Sequence, residues 1–383
     1  AVIVFWQGVK PDRTWSVKKT WLLLGLIMGV GFNTKFPMVL IAPGFGLYLL
    51  TTGNRRRDLL SVWPWLGVLL ATVMLAPVIY WNVKYDWPSF KFQFHDRHTG
   101  AEFDIKRWLQ FLTMQIVLLS PGVFISIWLA FFASLQKGYL AAKNQIDYRF
   151  RFLFCLSLPS FLVFYPQPMW ADFKPHWMGP AYFILSFAAG ALFSQGWVWG
   201  KTQIINVRSR KILWLCAGFM IPMNFLIYAP AIYPWVPKVA RAIQPQAEWQ
   251  PKNDVSNELF GWPEVGQEAL QWQKEIEQQT GHKPFFAGHR YEMTAQIWKA
   301  VEQHTYMLSF TRSHYTVTTS EAEYKTLYGQ DAIMIGDNKY PVNPQEFARF
   351  DSCEQRQFKF YRYDELARIF TLHWCKNFQG ILK

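Results

Sequence analysis

Two stretches of this chain gather side chains that can bind charge and move protons. Residues 77–97 read PVIYWNVKYDWPSFKFQFHDR, and residues 165–182 read YPQPMWADFKPHWMGPAY. Each sets Trp, Asp, Lys and His close together at the end of an apolar run. Lys and Arg bind phosphate oxygens, Arg often bidentately. Trp and Tyr faces stack on sugar rings or lie against isoprenoid chains, and His and Asp offer proton transfer. The candidates are Trp87, His95 and Arg97 in the first stretch and Asp172, Lys174, His176 and Trp177 in the second. Lys35, inside the apolar run GVGFNTKFP, joins them because a charge there is costly unless it is used. Each candidate also has a plainer role. The Trp residues suit interface anchoring. Arg97 and Lys174 suit pairing with Asp96, Asp172 or lipid head groups, and the two His suit structural hydrogen bonding. The shared chemistry of the two stretches carries the functional reading.

The elements that must position these residues are membrane spans. The chain has 383 residues, 51% hydrophobic and 18% aromatic. A crossing helix needs roughly 20 apolar residues. Segments 63–81, 108–135, 152–165 (short), 180–199 and 212–235 fit. Segment 21–50 is too long for one straight span and too short for two, and Asn33, Thr34, Lys35 and Pro37 interrupt its middle. It reads as two short helices with GFNTKFP at an outer tip, or as one tilted helix with Lys35 snorkelling.

The net charge of +13 raises the possibility of nucleic acid. The distribution argues against it, because Lys and Arg cluster in short loops between apolar spans, the positive-inside pattern. Loops 53–58, 136–151 and 201–211 then fall inside. Loops 82–107 and 166–179 fall outside, with the whole tail. Loop 82–107 dissents, with Lys84, Lys91, Arg97, Lys106 and Arg107. Either the orientation is reversed or this charge binds something anionic.

Composition shifts near residue 236. Residues 1–236 read as a polytopic α-helical membrane core, and 237–383 as a soluble extracytoplasmic α/β domain. In the tail, helical spacing covers 263–279 and 292–302, and strands are expected at 284–288, 306–311, 332–336 and 358–363. No P-loop, dinucleotide fingerprint or metal-ligand spacing is present, so no cofactor or metal is expected. His282, His289, His304, His314 and His373 suit surface or hydrogen-bonding roles. Arg290, Tyr291, Arg312 and His314 fit either an acceptor groove or a solvated face. Cys155 and Cys216 suit apolar packing. Cys353 and Cys375 can pair if the tail faces an oxidising compartment.

WNVKYDWPSFKFQFHDR, FKPHWMGPAY and GVGFNTKFPMVLIAPG resemble segments of bacterial membrane glycosyltransferases of the dolichyl-phosphate-mannose-protein mannosyltransferase-like class. GWPEVGQ, GHRYEMTAQIWKAV and DAIMIGD resemble their tail domain. The resemblance implies the GT-C fold, a helical membrane core with long extracytoplasmic loops, in a multi-pass protein of the bacterial inner (cytoplasmic) membrane. It also implies sugar transfer from a polyprenyl-phosphate-linked donor to a lipid, glycan or protein acceptor. Membrane lipids are the other expected partner, and nucleic acid is not. Lys35, Arg97 and Lys174 would then stabilise the phosphate leaving group, and His95 and His176 would orient donor or acceptor. The family's catalytic carboxylate sits in its first outer loop. This sequence opens AVIVFW, as though after that loop, so the resemblance assigns no catalytic residue here. A transporter or flippase of a lipid-linked or anionic substrate is the competing reading. It is disfavoured because ionisable residues sit mainly in end loops and no internal repeat is apparent. A non-catalytic scaffold whose tail binds a partner is a third.

Overall fold

The structure is a computed structural model that describes residues 1–94, 102–199, 202–246, 248–309 and 314–382. The chain divides into two compact units, Ala1–Pro222 and Met223–Lys383, so the break falls earlier than the composition change at 236.

The first unit is helical. Its helices are α1 (Val2–Val9), α2 (Val17–Thr34), α3 (Ile41–Thr51), α4 (Val62–Met74), α5 (Ala76–Lys84), α6 (Pro88–Phe94), α7 (Ile105–Leu119), α8 (Pro121–Leu135), α9 (Tyr148–Phe164) and α10 (Gly179–Gln195). A short hairpin of β1 (Trp197–Trp199) and β2 (Thr202–Ile205) follows, then α11 (Val207–Gly218). The helical runs Pro121–Leu140, Tyr148–Met169 and Pro175–Gln195 are long and apolar enough to cross a membrane. α4 and α5, bent by 47°, are a further candidate, as is Phe36–Thr51 with Gly53–Leu60, bent by 115°.

The 21–50 segment is two helices. Lys35 is extended at φ −161°, and Pro37 enters the helical turn that follows. α2 packs along α4, where a side chain at Gly25 would collide with the carbonyl of Gly67. Small residues let membrane helices approach this closely. One core gathers Ile127, Ala130, Phe161, Leu185 and Ala188 from α8, α9 and α10. Another gathers Phe5, Leu24, Phe45, Phe152 and Leu156.

Four expected spans need correction. Segment 108–135 is broken at Ser120, which has φ +65° and precedes Pro121, where a helical conformation is disfavoured. Segment 152–165 starts earlier, at Tyr148, because the charges there are satisfied. Arg149 pairs with Asp147 at 2.8 Å, and buried Arg151 donates to the carbonyls of Gly138 (2.8 Å) and Thr51 (2.9 Å). Segment 180–199 stops at Gln195, where Gly196 takes φ +77° and the chain turns into β1. Segment 212–235 becomes α11 and α12 (Met220–Ile232).

The second unit continues with α13 (Val236–Ile243), α14 (Trp262–Thr280), β3 (Phe285–Gly288), α15 (Tyr291–Val301), β4 (Thr305–Met307), α16 (His314–Thr318) and α17 (Glu321–Thr326). Then come β5 (Ala332–Asp337), β6 (Ala348–Arg349), β7 (Ser352–Arg362), β8 (Glu365–Lys376) and β9 (Gly380–Ile381). A sheet runs β4-β3-β5-β8-β7, with β3 parallel to β4 and β5 and with β8 antiparallel to β5 and β7. α14 and α15 bury Val265, Ala269, Ile276 and Ile297 with Ile333, Ile335 and Leu372 of the sheet. The other face holds Leu308, Leu327, Met334 and Phe378. This is the expected mixture of helices and sheet. β4 is shorter than expected, β7 is longer, and β8 was not anticipated. Cys353 and Cys375 are cross-strand partners joined by a disulfide.

Candidate functional site

The site lies within the first unit and is built around three breaks in its helices. The first is Lys35, between α2 and α3. Asn33 fastens the end of α2 by donating to the carbonyls of Gly29 (2.8 Å) and Met74 (2.7 Å), the latter at the end of α4. Lys35 itself is exposed.

The second break is the turn between α5 and α6. Asn82 is fully buried there. Its amide donates to Val78 O (2.8 Å) and accepts from Ser89 N (3.0 Å), and its backbone carbonyl accepts from Trp87 N (2.6 Å). A buried amide must be paired in this way. Asp86 and Trp87 both take left-handed backbone angles, φ +62° and +56°. This presents the Trp87 ring edge-on to Phe90 at 5.4 Å, and Phe90 meets Phe36 at 6.2 Å. Aromatic rings thus run from Trp87 to the residue after Lys35. A cleft of about 280 Å³ lies here, lined among others by Asn33, Lys35, Phe36, Trp81, Asn82 and Ser89.

The third break is the 166–179 loop. Asp104 N donates to Met169 O (2.8 Å), Trp108 Nε1 to Tyr165 O (3.0 Å), and buried Gln115 Nε2 to Pro175 O (3.1 Å). The 166–179 loop is therefore fastened to the end of the 82–107 loop and to α7. Lys174 and His176 are exposed. Lys35 and Lys174 are both close enough to His176 for their positive charges to act on its imidazole. Trp177 packs on Phe164 at 5.4 Å.

Among the described residues, Lys35 and Lys174 lie within electrostatic range of His176, and Trp87 is linked to Phe36 through Phe90. Trp177 adjoins His176 in sequence and turns towards Phe164. Asp172 is exposed on the same loop. His95 and Arg97 lie outside the described residues. Two cations of the 82–107 loop have local acids, Lys91 with Asp86 and Arg107 with Asp104 at 3.9 Å. Neither Lys35 nor Lys174 has a carboxylate partner among the described residues. Two positive charges beside a titratable ring, with an aromatic-lined cleft next to Lys35, suit an anionic head on an apolar or ring-bearing body.

Residues 6–81 match the dolichyl-phosphate-mannose-protein mannosyltransferase family. The chain is also 26% identical over 210 residues to the lipid A galacturonosyltransferase RgtD of Rhizobium johnstonii. The chain resembles the GT-C glycosyltransferases. That match covers 54% of this chain and 42% of RgtD, so the chain spans less than half the length of that relative. The family match contains Lys35, Phe36 and Trp81 and ends one residue before Asn82. No solved structure matches the chain.

Asn82 and Gln115 are the residues that sequence reasoning passed over. Each left a signal, a polar amide inside or at the end of an apolar run. No group of His, Cys, Asp and Glu able to hold a metal occurs among the described residues.

Proposed function

We propose that this chain forms the larger part of the lipid-donor site of a membrane glycosyltransferase. The donor is a sugar carried on a polyprenyl phosphate, and the acceptor is a lipid or glycan hydroxyl on the extracytoplasmic side. The observation that supports the reading is the aromatic-lined cleft that holds Lys35, with Lys35 and Lys174 both within electrostatic range of His176. As the glycosidic bond to phosphate breaks, negative charge grows on the leaving phosphate. Preplaced ammonium groups stabilise that charge more than they stabilise the ground state. Phe32, Phe36 and Trp81 provide apolar surface for the first isoprene units, and Trp87 provides a face for a sugar ring. His176 orients donor or acceptor. The base that activates the acceptor hydroxyl is not assigned to any residue of this chain. The Cys353–Cys375 disulfide supports placing the tail in an oxidising compartment.

The test is binding of a polyprenyl phosphate to the purified chain in detergent. Charge-assisted contacts to phosphate contribute about 1.5–3 kcal/mol each, so Lys35→Ala and Lys174→Ala should each weaken binding about tenfold or more. Adding salt should weaken the wild-type affinity, and the variants should respond less. Wild-type affinity in both variants would end the proposal.

A further inference from the structure

The end of α12, α13 and the β7–β8 turn form one fastened edge of the second unit. Arg362, the last residue of β7, is buried. Its guanidinium donates to the carbonyls of Pro230 (2.7 Å) and Ala231 (2.9 Å) at the end of apolar α12. It also donates to Ser256 Oγ (3.0 Å) and Asn257 Oδ1 (3.2 Å) in the helical turn Val255–Leu259. The Phe260 ring lies 4.0 Å beneath it. Tyr363, next in the chain, packs on Tyr233 at 5.4 Å, and Glu365 pairs with Arg241 of α13. Arg362 thus ties the end of β7 to α12 and to the Val255–Leu259 turn, and the Glu365–Arg241 pair adds α13.

These segments leave several large apolar or aromatic side chains outward, beside the exposed charges of Lys238, Arg241 and Asp364. Ile232, Tyr363 and Ile243 are 71%, 71% and 74% exposed, and Val255 and Leu259 are 70% and 68% exposed. α13 is amphipathic on its own, with Val236, Val239, Ala240 and Ile243 at helical spacing and Lys238 and Arg241 between them. A soluble surface rarely concentrates large apolar groups in this way. α12 is itself a short apolar helix, with Phe225 and Tyr228 65% and 67% exposed.

We propose that this edge beds in the lipid head-group layer, so that Arg362 holds the α/β unit against the membrane surface. Two features select lipid as the occupant. The edge continues directly from the exposed apolar side chains of α12. Its composition, aromatic and aliphatic groups alternating with Lys and Arg, matches an interfacial element, which buries its apolar face about 5–10 Å into the boundary region. Tyr233 and Tyr363 suit the level where rings meet head groups.

The test uses the full chain in nanodiscs of phosphatidylcholine and phosphatidylglycerol. A fluorescent amino acid is placed at position 363, 243 or 354. Position 354 lies on β7 roughly 26 Å from its Arg362 end, from the rise per residue of a strand. A nitroxide carried on the lipid near its head group should quench positions 363 and 243 several-fold more than 354. Aqueous iodide should show the reverse order. Equal quenching at all three positions would overturn the proposal. So would protection of 363 and 243 from both quenchers, since that would mean protein covers the edge.

Discussion

Asp104 donates its backbone N–H to the carbonyl oxygen of Met169 at 2.8 Å, joining loops that stand more than sixty residues apart in sequence. Trp108 and Gln115 add two more such ties, to Tyr165 and Pro175. All three ties end on backbone carbonyls, so they hold this stretch by its main chain. Gln115→Leu should break the tie nearest His176. A buried carbonyl left unpaired costs about 1–3 kcal/mol. Hydrogen exchange of the Trp177 and Met178 amides should rise, with little change in α9. Unchanged exchange in that loop would show that Gln115 does not hold it.

Asn82 makes a sharper case, because two substitutions separate its two hydrogen bonds. Asn82→Asp keeps an acceptor for Ser89 N and loses the donor to Val78 O. Asn82→Ala loses both. The alanine variant should release the start of α6, seen as faster exchange at Ser89, while the aspartate variant should keep most of that protection. Polyprenyl-phosphate affinity should follow the same order. Equal exchange at Ser89 in both variants would count against the tie.

In the tail, Arg368 and Asp337 form an ion pair that is almost completely buried. The guanidinium lies over Trp262 at 4.1 Å and donates to the carbonyls of Glu258 (3.2 Å) and Phe260 (3.0 Å). Asp337 also accepts from the Lys339 and Tyr340 amides. Arg368→Met leaves a buried carboxylate without its cation, which costs about 3–5 kcal/mol. Denaturant unfolding of the full chain, followed by exchange in β5 and β8, should show a clear drop in midpoint. Adding Asp337→Asn should recover part of it.

His289 is buried against Phe347, and desolvation, helped by the charge of Arg290, pushes its pKa down to about 4 from 6.5. The folded state keeps the ring neutral while the unfolded chain protonates it. The stability this group contributes is intact above pH 6.5 and is lost as pH falls towards 4, roughly 3 kcal/mol in all. His373, also pushed down by burial, acts in the same direction. His289→Gln should flatten the fall in tail stability between pH 6.5 and 4.5, read by thermal unfolding at several pH values. An unchanged slope would contradict the assignment.

The Cys353–Cys375 bridge closes a hairpin with a sequence separation of 22. Cross-linking a loop of that size stabilises by about 3 kcal/mol in the chain-entropy account. Cys353→Ser with Cys375→Ser should lower the unfolding midpoint of the tail and leave exchange in α8 and α9 unchanged. A tail of unaltered stability would argue against the bridge.

The sequence was most readable where one local rule decided the outcome. Asn33 to Pro37 interrupts an apolar run, and the helix does break at Lys35. The period of Val265, Leu270, Trp272 and Ile276 marks α14. It was least readable where a distant partner decided. Arg151 looked like the edge of a span, and it continues a helix because Thr51 and Gly138 offer it carbonyls. β8 went unrecognised because it lies between β5 and β7 with most of its residues buried, so its apolar residues do not alternate cleanly. In the site, the charged and aromatic residues stood out. The amides of Asn82 and Gln115 that place them did not, since a single polar residue in an apolar run carries no sign of its partner.

The turn at Asp86 and Trp87 sets a condition on how this chain can vary. Two successive side-chain-bearing residues in the left-handed region cost roughly 1–2 kcal/mol each, and only Gly, Asn and Asp enter it readily. Gly or Asn at position 86 should be accepted, and Val or Ile there should not be. At position 87 the choice is a compromise, since glycine would ease the backbone and delete the ring. Keeping an aromatic residue there means that neighbouring contacts must supply the difference, and Asn82 is the nearest to do so.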